Sequence, residues 1–234
     1  PPPPLPPARS PHAGPQLVDE FNSPGVDAGY FFAELSNLND CQMAVKKAAT
    51  TYGRIDGLVN NAGLNDGVGL EKGSPEAFLE SLNNNLHHYY YMAQLCLPWL
   101  KKFHGNIVNV SSKTALTGQG GTSGFAYSKG AELALSREWS VEILKYQIRV
   151  NAVVQAEVMN PLYKKWLTKF ENPQLKLEDI TKNIPLGGRM TTKEEMASMV
   201  VYLLSRQASH ITGQFLFVDG GYVHLDRALA GSDL

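Results

Sequence analysis

The stretch Ile55-Asp56-Gly57-Leu58-Val59-Asn60-Asn61-Ala62-Gly63 begins as a short apolar run and ends in small polar residues and glycine. A run of that length suits a buried strand, and the Asn-Asn-Ala-Gly end suits the turn that leaves it. The next segment is helical. Ser74-Pro75 places an N-cap ahead of a proline at the first helical position, and Phe78, Leu82 and Leu86 recur at i, i+4 and i+8. This helix is expected to reach about Phe103, with a kink at Pro98. Next come a strand over Ile107–Val110, a glycine-rich loop over Gly118–Gly124, a helix from Phe125 to about Lys145 and a strand over Ile148–Val154. A polar insertion with Trp166 and Pro173 precedes a helix from about Lys193 to Ser205 and a last strand over Gln214–Val218. Strands alternating with helices predict an α/β fold, a doubly wound parallel sheet (Rossmann-like) with both faces covered.

Toward the N-terminus, Gly53 stops a helix that Ser36 or Asn39 caps, with Met43, Ala44, Lys47 and Ala48 at helical spacing. Tyr30–Ala33 reads as a fifth short strand, and Asn22-Ser23-Pro24-Gly25 ends a helical segment around Gln16–Phe21. Pro1 to Pro15 is dominated by proline, which lacks the backbone donor that a central strand requires, so residues 1–15 read as a disordered or polyproline arm. Residues 16–234 then form one domain. With 43% hydrophobic and 18% charged residues the chain can bury one sizeable core. A formal net charge of −1 leaves no electrostatic footprint for nucleic acid or an anionic membrane. No stretch approaches the roughly 20 apolar residues that span a bilayer. Cys41 and Cys96 are too few for a disulfide framework and have no Cys/His ligand spacing, which points to a reducing, cytoplasmic setting and to no metal.

In open α/β sheets ligands bind beyond the carboxyl ends of the strands. The Asn60–Gly63 turn, Asn85 in the following helix, Ser112 at the end of the next strand and Lys129 in the next helix all fall there. Each has an ordinary structural use, as turn residue, strand-end cap or solvated lysine. Taken together they resemble the short-chain dehydrogenase/reductase family, over about Tyr30 to Arg227. That resemblance implies hydride transfer to NAD or NADP by a Ser, a Tyr and a Lys, supported by an Asn. Ser112, Lys129 and Asn85 take three of these places. The tyrosine belongs thirteen residues after the serine and four before the lysine, and both counts reach Phe125. In the family the ammonium lowers the phenol's pKa so that phenolate removes the alcohol proton. Phe125 has no such group. Tyr127 is near in sequence, but residues two apart do not share a helix face.

The resemblance also implies a cofactor site at Asn60, Asn61, Ala62, Gly63 and Lys129, and at Asn160 where the family has a threonine beside the nicotinamide amide; asparagine can still hydrogen-bond an amide. Gln155 and Ala156 stand where the family usually has Pro-Gly. No Gly-x-x-x-Gly-x-Gly turn precedes Asn60, and Ala8-Arg9-Ser10-Pro11 resembles the residues just after the family's second strand. The expectation is therefore a domain missing the first two strands of the family, with weak cofactor binding and the choice between NAD and NADP unreadable. In the family's strand order two empty places would then separate the Tyr30 and Ile55 strands, roughly 14 Å at a spacing of about 4.8 Å, too far to pair.

Ser111-Ser112-Lys113-Thr114-Ala115-Leu116-Thr117-Gly118-Gln119-Gly120, Ala156-Glu157-Val158-Met159, Pro161-Leu162-Tyr163 and Val218-Asp219-Gly220-Gly221-Tyr222 are similar to the L-fucose dehydrogenase group, which oxidises a sugar hydroxyl. On that resemblance the substrate is a small-molecule sugar or alcohol held by Lys113, Glu157 and Trp166, residues that equally suit surface charge and a core anchor. His87-His88 and Tyr89-Tyr90-Tyr91 suit helix packing and a subunit interface. With Trp99 and Trp139, the three tyrosines offer apolar surface for a homo-oligomer, dimer or tetramer, through the helices around Asn85 and Phe125. Three readings stay open: a sugar dehydrogenase with impaired catalysis, a non-catalytic relative or fragment acting as an oligomeric binding protein, or an incomplete gene product of such an enzyme.

Overall fold

Four short strands pair in parallel in the order β1-β2-β3-β4: β1 (Gly57–Asn60), β2 (Asn106–Ser112), β3 (Arg149–Gln155) and β4 (Phe215–Val218). This computed structural model describes residues 14–15, 18–19 and 27–225. The proline-rich arm and the segment Gln16–Phe21 lie outside the described residues, except for helical backbone at residues 14–15 and 18–19. Ser112 pairs with Gln155 and Gln155 with Val218, so three strands end level, whereas β1 stops where Asn60 pairs with Asn109.

Helix α1 (Leu38–Tyr52) precedes β1. Parallel neighbours need crossovers: α2 (Pro75–Leu82) and α3 (His88–Phe103) join β1 to β2, α4 (Ser123–Glu142) joins β2 to β3, and α5 (Pro161–Leu167), α6 (Pro173–Thr181) and α7 (Lys193–Leu204) join β3 to β4. One face of the sheet packs Leu58, Ile107 and Val150 against Tyr89 and Leu100 of α3 and Trp139 of α4. Leu133 of α4 continues that layer over Ala152 and Val154. The pleat sends Val108, Val110 and Val153 to the opposite face, against Met196 and Leu203 of α7. Every β2 residue is buried, as a strand covered on both faces requires. Each fully buried valine, leucine or isoleucine contributes roughly 1.5–3 kcal/mol.

Three local expectations change. Tyr30–Ala33 forms no strand, so the described sheet has four strands rather than five. A short extended segment without a neighbouring strand has no ladder for its backbone groups. The cap of α1 is Asn37, not Ser36 or Asn39; its side-chain oxygen accepts from Asn39 N at 2.9 Å. The buried face of α1 is then Cys41, Val45 and Ala49, and Met43 is exposed. Gly53 does end α1, at φ 68°, where only glycine is unstrained. Finally, the long helix runs through Pro98 to Phe103 as expected, but a π-helical turn over Asn83–His87 interrupts it earlier. Asn85 lies in that turn, a deformation often found at functional sites.

Candidate functional site

Beyond the ends of β1 and β2, α4 carries Phe125 and Lys129 on one face, one turn apart. Lys129 is buried, and its ammonium lies 5.5 Å from the centroid of the Phe125 ring. It donates to Val110 O at 3.0 Å, to Tyr89 Oη at 3.2 Å and to Glu132 Oε1 and Oε2 at 2.9 and 3.1 Å. Tyr89 Oη gives its own proton to Val110 O at 2.9 Å. Ser111 Oγ donates to Lys129 O at 2.8 Å. Burial pushes the Glu132 carboxyl up to about 7 against the opposing pull of Lys129, and burial raises the Tyr89 phenol well above its ordinary value.

Asn85 is buried beside this group. Its Oδ1 accepts from Leu64 N at 2.6 Å and its Nδ2 donates to Ser81 O at 2.9 Å, so it fastens the loop after β1 to the helix pair. A Cβ on Gly63 would lie 3.3 Å from Asn85 Oδ1 and 3.4 Å from Lys129 Nζ. The Asn60–Gly63 turn thus meets Asn85 and Lys129 directly. Within it, Asn60 is buried and donates to Asn109 Oδ1 at 2.9 Å, Asn61 is exposed, and Ala62 O accepts from His88 Nε2 at 3.2 Å. Burial holds His88 down at about 4, and His88 Nδ1 has no hydrogen-bond partner among the described residues. Ser112 Oγ accepts from Thr114 N at 3.3 Å, capping the 3₁₀ turn Lys113–Ala115. Tyr127 is 58% exposed, with its ring edge-on to Phe78 at 5.7 Å, and faces away from Lys129 as the helix geometry predicts.

A second polar group joins the loops after β2 and β3. Lys113 and Glu157 are both buried and form an ion pair. Tyr163 Oη of α5 donates to Glu157 Oε2 at 2.7 Å, and the Lys113 ammonium lies 4.2 Å over the Tyr222 ring. Trp166 is 38% exposed and packs edge-on against Tyr163 at 5.2 Å and Phe170 at 4.8 Å. Lys113 and Glu157 are therefore brought together, with Trp166 adjoining them through Tyr163. Tyr89 and Trp139 are core residues, which removes them from any interface surface; Tyr90 is exposed.

The family's dinucleotide needs a glycine-lined turn at a helix N-terminus for its pyrophosphate. Among the 234 residues none precedes β1, and Gly63 opens toward Asn85 and Lys129 instead. The donors of Lys129 face protein acceptors, and Asn160 Oδ1 caps α5 by accepting from Tyr163 N at 2.8 Å. Lys129 and Asn160, two of the cofactor residues that the resemblance implies, are thus engaged by the protein itself. No group of three metal-ligating side chains occurs among the described residues, and no helix there is long and apolar enough to cross a membrane.

Tyr89, Ser111, Glu132, Tyr163 and Tyr222 belong to these clusters, and the sequence alone does not mark them as site residues. Glu132 has a readable signal: a carboxylate between Ala131 and Leu133, three residues after Lys129 on a helix.

A family model described as enoyl-(acyl carrier protein) reductase matches residues 12–223. The 3-oxoacyl-(acyl-carrier-protein) reductase FabG of Thermotoga maritima is 32% identical over 194 residues, covering 82% of this chain and 76% of that protein. L-fucose dehydrogenase of Rattus norvegicus is 31% identical over 189 residues, covering 80% and 69%. Among solved structures, Cj0485 dehydrogenase matches with a TM-score of 0.87 at 48% identity, covering 90% of this chain and 81% of that one. The ligand-free aldohexose dehydrogenase of Thermoplasma acidophilum matches with a TM-score of 0.79 at 28% identity, covering 91% and 89%.

Proposed function

The chain belongs to the short-chain dehydrogenase/reductase family of oxidoreductases, and on that premise we propose that it is a sugar-binding member whose oxidation of a sugar hydroxyl with NAD or NADP is impaired at position 125. One observation carries the impairment: the ring 5.5 Å from the Lys129 ammonium, at the place of the family's phenol, is that of Phe125 and holds no proton acceptor. Lys129 faces that ring, Asn85 adjoins Lys129 across Gly63 and Ser112 ends β2, in keeping with the places that the resemblance gives them. Relatives named for L-fucose and aldohexose oxidation support the sugar class, and Lys113, Glu157 and Trp166 supply an ammonium, a carboxylate and an aromatic face suited to sugar hydroxyls and ring carbons. FabG, named for an acyl carrier substrate, supplies the competing class.

Tryptophan fluorescence separates the two. L-fucose or a related aldose is expected to change the emission saturably, and Trp166→Phe to abolish most of that change. A response to a 3-oxoacyl thioester with none to any aldose would overturn the sugar assignment. Cofactor binding is proposed to be weak, because the Lys129 and Asn160 side chains are engaged within the protein. The buried free cysteines Cys41 and Cys96 support a cytoplasmic setting.

A homo-oligomer, dimer or tetramer, is proposed through α2, α3 and α4, where Leu79, Tyr90 and Tyr127 stand exposed. Sedimentation at micromolar concentration is expected to show a dimer or larger species, and Tyr127→Asp with Leu79→Asp to shift it to monomer; a wild-type monomer contradicts the proposal. A second reading, a non-catalytic oligomeric binding protein, is favoured by the inward engagement of Lys129 and differs in expecting no turnover from any variant.

A further inference from the structure

An ammonium has three N–H bonds. At Lys129 they face Val110 O, Tyr89 Oη and the Glu132 carboxylate, all within 3.2 Å. Tyr89 can accept because its own proton goes to Val110 O. The lysine's hydrogen-bonding capacity is thus met by the protein itself. Of the three acceptors, Glu132 is the one that carries a charge. It is 0% exposed, both its oxygens lie on the lysine, and Tyr89 and Ser111 also face its carboxyl. A buried carboxylate is costly to place, so its pairing needs an explanation beyond packing.

We propose that Glu132 is a positioning residue that makes Lys129 half of an internal ion pair, so that position 125 lies outside the lysine's field. The lone ammonium, 5.5 Å from the Phe125 ring, would favour negative charge there. A carboxylate 2.9 Å from that ammonium cancels most of its potential and pins its rotamer against the sheet. Tyr89 and His88 of α3 are the other titratable groups against the pair, and the raised Tyr89 phenol and lowered His88 imidazole keep both neutral near pH 7. The proposal rests on the family reading only for the importance of position 125.

A phenol placed at that position reports the field without any cofactor or substrate. In protein labelled with ¹³C-tyrosine, the resonance added by Phe125→Tyr is expected to titrate at or above about 10. With Glu132→Gln as well, it is expected to fall by about 1–2 pH units, and Lys129→Met is expected to cancel that fall. Cooperative thermal unfolding identifies the folded variants. Glu132→Asp, which keeps the charge but withdraws it by one methylene, carries the test where Gln does not fold, with a smaller fall in the same direction. An unchanged phenol titration in every folded Glu132 variant overturns the proposal, as does a fall that survives Lys129→Met. Absence of sugar binding would overturn the functional reading and leave this titration intact.

Discussion

Phe125→Tyr alone is expected to leave the 234-residue chain without measurable turnover of L-fucose or related aldoses. The same substitution is expected to raise turnover by about 10² to 10⁴ in a chain extended ahead of Ala8 by a strand, glycine loop, helix and strand, assayed at about pH 10, where the phenol ionises despite Glu132. Two separate requirements are at work. A general base positioned against the reacting hydroxyl has that typical effect on rate. The base does nothing unless the hydride acceptor is held, and holding it needs backbone donors at a helix N-terminus. Among these 234 residues no such glycine turn precedes β1. Appearance of reduced nicotinamide, with calorimetry of NAD and NADP binding, distinguishes four proteins: the chain with Phe125 and its Phe125→Tyr variant, each with and without the extension. Substantial turnover by the unmodified chain would defeat both halves and direct attention to Tyr127, whose ring now faces outward onto Phe78.

Lys129→Met is the second large effect, this time on stability. Removing one member of a buried ion pair leaves an uncompensated charge and typically costs about 3–5 kcal/mol. Here the cost depends on pH in a definite direction. Burial raises the Glu132 carboxyl from 4.5 to about 7. The folded chain therefore holds that proton more tightly than the unfolded chain, so the group's contribution is present below about 4.5 and is lost as pH rises through 7. Without Lys129 the carboxyl rises further, and the variant keeps losing stability at pH values where the wild-type chain has levelled off. Urea unfolding is expected to show a gap of about 3–5 kcal/mol at about pH 8.5 and a smaller one at about pH 6. Lys129→Met with Glu132→Gln is expected to recover most of the difference. A gap of equal size at both pH values would show that Glu132 is not the source.

The sequence announced the strand and helix order because burial periodicity and turn chemistry are local. Ser74-Pro75 begins α2 and Gly53 ends α1 as read, since a cap depends on a few neighbouring residues. The Tyr30–Ala33 strand failed for the opposite reason: a strand exists only with a partner, and partners are not local. The meeting of Asn85, Phe125 and Lys129 was legible from spacing, given the family resemblance. What Lys129 touches was not. Glu132 lies three residues away and could have been paired with it from the sequence, but Tyr89 lies forty residues away on another helix and read only as an aromatic suited to packing or an interface. The likeness to L-fucose dehydrogenase appeared in short loop motifs, and the Lys113–Glu157 pair joins two of those loops across 44 residues, a contact that no spacing rule predicts.

The early end of β1 has a consequence for what the lysine is for. β2 continues three residues past the rung at which Asn60 pairs with Asn109, and Val110 is the first residue beyond it. Its carbonyl takes a phenolic proton and an ammonium proton from side chains, the kind of donation that a longer strand would have made from backbone. Lys129 and Tyr89 thus take the place of one backbone N–H, completing the sheet where the strand turns aside. Lengthening β1 would release the lysine from this duty, so the demand on its protons is set by where a neighbouring strand stops as much as by the chemistry at Phe125.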